Sequence, residues 1–440
     1  DAPYPLRLRG EKQYAGNVRM FALRYHTAFR TGIAGASASN VQLPHRHRTN
    51  SMKRTRFTRR SGLSRDAERL ARFAAGLAQS GGRLEDAFWE TSLTAELDRL
   101  LHAGNEETLN AALDHLWTSN LRAHDELADL IEARCEIGGA DAAGNKLDTL
   151  LITAPVLAWS RYGIASGAIG RDVLAGIRAQ LHGHVLAANT RLAVADYLFS
   201  PDQLPRGFIE TAQLAGKLHQ AAARDEDLKI DGKRLPETVQ FLSDLRYVLC
   251  AVAVEPGKPV FRWQEDESTR EAALALWRAQ GGPNLHSMLS GCALELLLPD
   301  AYFAACRQAE QQARPYSLRA SVTFLQTVFN VGAGQLRAVV APYYDQHLEE
   351  YRIGFTWGDK VDVVHGVVWP MLGADEDKDA VSVIENLLRE CGVTSVSVLD
   401  HRLPLEFCDD CGVPLYPNAE GESVHAELPE DDAAAPARLH

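Results

Sequence analysis

The chain has 440 residues, a mass of 48.3 kDa and a formal net charge of −12. It is 46% hydrophobic and 24% charged, so it can bury a sizeable core, and disordered and collagen-like classes are excluded. No apolar run approaches the roughly 18 residues of a bilayer-spanning helix. The chain therefore reads as soluble, with about three domains expected from its length.

Residues 1–62 carry 13 Lys/Arg against 2 Asp/Glu, a net of +11, and residues 63–440 carry 33 against 56, a net of −23. The basic run Met52–Arg60 places Lys53, Arg54, Arg56, Arg59 and Arg60 around Phe57. Such a segment can neutralise phosphates and stack on a base, which makes it a candidate nucleic-acid contact. The plainer reading is a solvated terminus, because the acidic body repels nucleic acid. Residues 1–51 show no sustained apolar period, and their acid-free stretch Phe21–Asn40, with Arg24 and Arg30, faintly resembles an organellar transit peptide. The whole stretch 1–62 is expected to be a disordered leader, with a natural start at Met52.

Residues 63–139 predict a helical module. Leu70, Phe73, Ala74 and Leu77 form one stripe after the N-cap candidate Ser64, and Gly81-Gly82 stops it. Trp89, Leu93, Leu97, Leu100 and Leu101 form a second stripe ending at Gly104, and a third runs from Leu109 to Ile131 before Gly138-Gly139. Residues 140–146 read as a small polar linker. In 147–330, strands at 150–160, 191–199, 246–254 and 293–298 alternate with helices at 171–181, 208–223, 269–280 and 301–313. That rhythm predicts a sheet covered by helices. Two strand–Pro-Asp–helix segments, at 192–202 and 294–300, raise the alternative of a duplicated βαβα unit.

Residues 331–425 have an antiparallel character. A strand is expected at 336–342, followed by a hairpin with Tyr351, Ile353, Phe355 and Trp357 on one face and Val363, His365, Val367 and Trp369 on its partner. The aromatic face should lie under helix. A helix at 379–391 and a strand at 394–399 follow, and residues 426–440 form an acidic, Ala-rich tail expected to be disordered. The fold class is mixed α+β and α/β.

Recognisable catalytic motifs are missing: there is no GxxxxGK[ST], strand-borne GxGxxG, HExxH, GxSxG or calcium loop. His182 and His184 read as helix-end residues, His124-Asp125 as lying on a polar side, and His365 as a core histidine or a buried acid–base group. The seven cysteines are odd in number and sparse, which argues for a reducing compartment rather than a disulfide framework. Only Cys408 and Cys411, in Phe407-Cys408-Asp409-Asp410-Cys411-Gly412, have ligand spacing. Two intervening residues let both sulfurs face one ion, and the glycine permits the tight turn of a zinc knuckle. Zinc would need two further ligands, from His425, Cys391 or His401, or from a second chain. The alternatives are an inert turn, or a redox pair that Asp409 and Asp410 disfavour by raising a thiol pKa.

The run from Met52 to Ala67 and the ending Phe407–Asn418 resemble a mainly beta-proteobacterial family, domain of unknown function 2863. The resemblance covers about residues 52–430, nearly everything except the leader. It implies a bacterial cytoplasmic protein and carries no site residues. The first functional reading is a non-catalytic binding or accessory protein with a C-terminal zinc-knuckle-like element, acting on a protein partner or as a homo-oligomer and not in a membrane. The alternatives are an enzyme with its site in the α/β body, and a nucleic-acid binder acting through the basic segment.

Overall fold

The computed structural model describes residues 62–427, apart from residues 143, 161–162, 239–240, 266–267, 346, 359, 373–378 and 410–411. The leader 1–61 and the tail 428–440 lie outside the described residues.

Helices α1 (Arg65–Gln79), α2 (Arg83–Ala103), α3 (Glu106–Ser119) and α4 (Leu121–Glu136) form the predicted module. Each apolar stripe is ended by a residue able to satisfy loose backbone groups. The Ser64 hydroxyl accepts from the Ala67 amide at 3.1 Å, and Gly104 terminates α2 at φ +67. The third stripe is two helices. Asn120 closes α3, and its side-chain oxygen accepts from the Ala123 amide at 3.2 Å to open α4.

The expected linker is instead a strand. β1 (Ile137–Ala142) pairs antiparallel with β2 (Asn145–Trp159), and Gly144 at φ +85 supplies the turn. Small residues hid this strand, because Gly138, Gly139 and Ala140 give no apolar alternation. β2 is the spine of the first sheet. It pairs along one side with β5 (Ser243–Val254) and on the other with β1, β7 (Asp300–Ala301) and β6 (Ala293–Leu296) in turn. β4 (Arg191–Phe199) and β3 (Gly167–Ala168) complete the order β1-β2-β5-β4-β3. Every pairing in this sheet is antiparallel.

Both faces of the sheet are buried, which explains the near-continuous apolar strands. Odd-numbered Leu151, Leu157, Tyr247 and Leu249 face the helical module and α6 (Phe208–Ala223). Even-numbered Ile152, Val156, Val248 and Val252 face α5 (Arg171–His184) and a Trp277-centred segment between α7 (Arg270–Leu276) and α8 (Gly282–His286). The two Pro-Asp closures sit on unlike strands: β4 lies inside the sheet, whereas β6 is a four-residue strand against β2.

The helix expected to stop at Ala313 continues. α9 spans Tyr302–Phe329 with Pro315 inside it. It reaches the second sheet, ordered β10-β9-β8-β11, made from β8 (Leu336–Tyr344), β9 (Leu348–Trp357), β10 (His365–Pro370) and β11 (Ser395–Val398). β8–β9 and β9–β10 are antiparallel, while β11 returns through α10 (Ala380–Glu390) to run parallel to β8, with β12 (Leu403–Pro404) extending that edge. The expected hairpin forms, with Val363 left ahead of its second strand: His365 faces Phe355, Val367 faces Ile353 and Trp369 faces Tyr351. Ile353, Phe355 and Trp369 are buried beneath α9 and α10. Trp357, expected under the same cover, is only half-buried and stacks on Phe329 at 5.0 Å, because it sits at the strand end.

The C-terminal segment crosses β9 and β10 on the opposite side as a strap containing β13 (Tyr416–Pro417) and β14 (Ser423–Val424). Two glycines permit the approach: a Cβ at Gly354 would overlap the Pro417 carbonyl, and one at Gly366 would overlap the Tyr416 ring.

Candidate functional site

The site is built on α9. Its first turns bury Tyr302, Phe303, Cys306 and Ala309 in the core of the first sheet, and its last bury Leu318, Val322 and Leu325 in the core of the second. Between them, Glu310, Arg314, Ser317 and Ser321 recur at spacings of four, three and four, which places them on one helical face. Proline removes one helical hydrogen bond at Pro315, within this stretch. The helix persists because both its ends are anchored in packed cores, whose burial outweighs one lost bond.

That polar face lines a cavity of about 180 Å³ at the seam between the two sheets. The start of β5, the edge strand β10 and Tyr416 of the strap form the other walls. Charge here is concentrated and mostly paired. Asp244, at the mouth of β5, meets the fully buried Arg246 guanidinium. Burial pushes the Asp244 carboxyl up to about 6, against the opposing pull of Arg246. Arg246 also donates to the carbonyls of Ala165, at 2.7 Å, and of Ile164, so it pins the segment leading to β3. Glu350 accepts from Arg352 Nε at 2.6 Å. Arg314 lies 5.1 Å from the Trp369 ring centre and donates to the Pro370 carbonyl at 3.1 Å.

His365 points from β10 toward α9, where its Nε2 lies 3.0 Å from Ser321 Oγ. Both residues are buried and both line the cavity. Burial pushes the imidazole down to about 4, so it is neutral at physiological pH. Of the two readings of His365 drawn from the sequence, the structure keeps both in play: it is in the core and at a cavity wall.

The other sequence candidates are dispersed. Lys53, Arg54, Arg56, Arg59 and Arg60, and also Cys411, lie outside the described residues. Cys408 is half-buried and opens a turn in which the Gly412 amide donates to its carbonyl at 2.7 Å, with Gly412 at φ +72. His425 Nδ1 lies 3.5 Å from a Glu427 oxygen, and His401 Nε2 lies 3.2 Å from the Gly421 carbonyl oxygen. Cys391 caps α10, half-buried. Among the described residues, no three His, Cys, Asp or Glu side chains converge as a metal set. His184 meets Gln280 at 3.0 Å, and His182 is 3.5 Å from Thr190. His124, expected on a polar side, is buried at 5.1 Å from Trp117, with Asp125 3.1 Å from its Nδ1.

Sequence reasoning missed the α9 stripe. Its signal was the spacing Glu310, Arg314, Ser317, Ser321, which becomes visible once the helix is allowed through Pro315. Among the described residues, no helix is long and apolar enough to cross a membrane. No curated protein and no solved structure matches the chain significantly. The family model described as a protein of unknown function, DUF2863, matches residues 55–439, and the chain belongs to that family.

Proposed function

We propose that the protein binds a small polar molecule in the seam cavity, with Arg314 taking an anionic group and Ser317 and Ser321 supplying hydrogen bonds. One observation carries this reading: a single helix turns four polar side chains into a cavity that buried apolar cores flank on both sides. Polar groups are costly to place between two cores, so their convergence on an open volume supports a ligand. The volume suits a metabolite the size of an amino acid and is below the roughly 300–1,000 Å³ of larger ligand sites. Thermal-shift screening with small carboxylates and amino acids, alongside native mass spectrometry of the purified chain, tests it. A ligand that stabilises the protein and loses affinity in Arg314→Ala supports the reading. No retained ligand and no shift across the panel overturns it.

A second reading keeps the C-terminal turn as a structural zinc site. The left-handed Gly412 and the Gly412 amide bond back to Cys408 favour a knuckle-like turn. Completion would come from Cys411 and the Cys pair of a second copy, because Cys408, His425 and either Cys391 or His401 do not converge within one chain. Metal analysis of untagged protein should then give zinc near one per two chains, lost in Cys408→Ser. Metal-free protein with both thiols freely reactive ends this reading.

A further inference from the structure

We propose that Ser321 and His365 form a nucleophile–base pair that hydrolyses short esters carrying a carboxylate. The inference rests on the seam cavity being a ligand site and adds a reaction to it.

The hydroxyl of a mid-helix Ser or Thr ordinarily bonds back to the carbonyl four residues earlier. Thr323 does so to Arg319 at 2.9 Å, and Thr327 to Thr323 at 2.9 Å. Ser321, on the same helix, is instead paired with His365 Nε2 at 3.0 Å. That distance is within the range of an activated nucleophile and its base. The imidazole is held between two rings, with centroids 5.6 Å away at Phe324 and 6.4 Å away at Phe355. It is therefore oriented without tumbling, and it is neutral, as a proton acceptor must be. A purely structural pair would be sealed inside a core, but this pair is part of a cavity wall.

The substrate class follows from the helix. Arg314 precedes Ser321 by seven residues on one face, roughly 10 Å along the axis. A molecule held by a carboxylate at Arg314 would present a carbonyl about that far away to Ser321. Ser321 Oγ forms a bond to the ester carbonyl carbon as its proton passes to His365 Nε2. The ester C–O bond breaks, and the leaving oxygen takes that proton and departs as an alcohol. Water then adds to the acyl-serine and gives a proton to Nε2. That proton returns to Ser321 Oγ as the acid leaves, so the sum is ester plus water giving acid plus alcohol.

The test treats the purified full chain with diisopropyl fluorophosphate, a small probe that loses fluoride to an activated serine. Intact mass and peptide mapping should show one phosphoryl adduct, on Ser321. Ser321→Ala should take none, and His365→Gln should label slower by roughly a hundredfold, the scale of general-base assistance. Thr323→Ala, on the exposed side of the helix, should label at the unaltered rate. A folded chain without an adduct on Ser321 overturns the pair, as does an adduct forming equally fast in folded His365→Gln. The labelled position in the unaltered chain decides the matter even if a variant fails to fold. Ligand binding without labelling would sink the pair alone and leave the binding reading intact.

Discussion

Arg352→Met examines how the strap is held. The Arg352 guanidinium is fully buried on β9. Its Nε donates to Glu350, and its Nη1 donates to the carbonyls of Glu406 at 2.6 Å and Leu415 at 2.7 Å. Those carbonyls flank the Cys408–Gly412 turn, so one side chain ties both ends of that turn to the sheet. It also lies 4.2 Å from the Tyr343 ring centre and 4.9 Å from that of Phe407. Methionine keeps most of the volume and loses every donor. Each hydrogen bond from a charged donor contributes about 1.5–3 kcal/mol, but such losses do not add. Removing one partner of a buried pair costs about 3–5 kcal/mol in total, much of it from the carboxylate and carbonyls left behind. The assay is hydrogen exchange of residues 406–418, since a chain of this size need not unfold in one step. Protection there should fall by that amount while α1–α4 remain unchanged. Arg352→Met combined with Glu350→Gln should recover part of the loss. A loss below about 1 kcal/mol would show that the strap is held by apolar packing and not by Arg352.

Glu136 accepts from the Phe303 amide at 3.2 Å, and burial raises its carboxyl to about 7. A raised acid contributes stability below its unfolded pKa of about 4.5 that is lost as pH rises through 7, so Glu136→Gln should gain on the unaltered chain between pH 5 and 8, by at most about 3 kcal/mol in denaturation. An unchanged difference across that range would contradict the burial argument. Burial pushes His219 down to about 4, the opposite case: its contribution is present above its unfolded pKa of about 6.5 and is lost as pH falls through 4, and His219→Gln should remove that part of the acid sensitivity. Gly366→Ala drives a methyl into the Tyr416 ring and should cost about 1–3 kcal/mol, read as faster proteolysis of the strap; unaltered cleavage would mean that the strap can shift aside. Trp357→Ala should cost less than the roughly 3–5 kcal/mol of a fully buried aromatic, because Trp357 is only half-buried, with Phe329 stacked on it and the Lys360 ammonium 4.5 Å from its ring centre; a denaturation loss above that range would place it in the core.

Local periodicity was enough for elements whose partners repeat its pattern. The stripes of α1 to α4, though not the break at Asn120, the alternation of Tyr351–Trp357 against His365–Trp369, and the limits of β4 and α6 could be read from the sequence. Each of these buries a face whose spacing is set by 3.6 or 2 residues per repeat. Ligand spacing at Cys408 and Cys411 was equally visible, yet spacing says nothing about which other side chains approach, and approach is a property of the fold. Three decisions belonged to tertiary structure alone. β1 forms from Gly138, Gly139 and Ala140 because β2 offers an edge to pair with. α9 continues through Pro315 because packed cores hold both of its ends. Ser321 meets His365 across 44 positions of sequence because α9 and β10 are packed together. Periodicity is a local property, whereas a cavity is made where separate elements meet, so its polar lining came into view only when the two sheets were placed on the same helix.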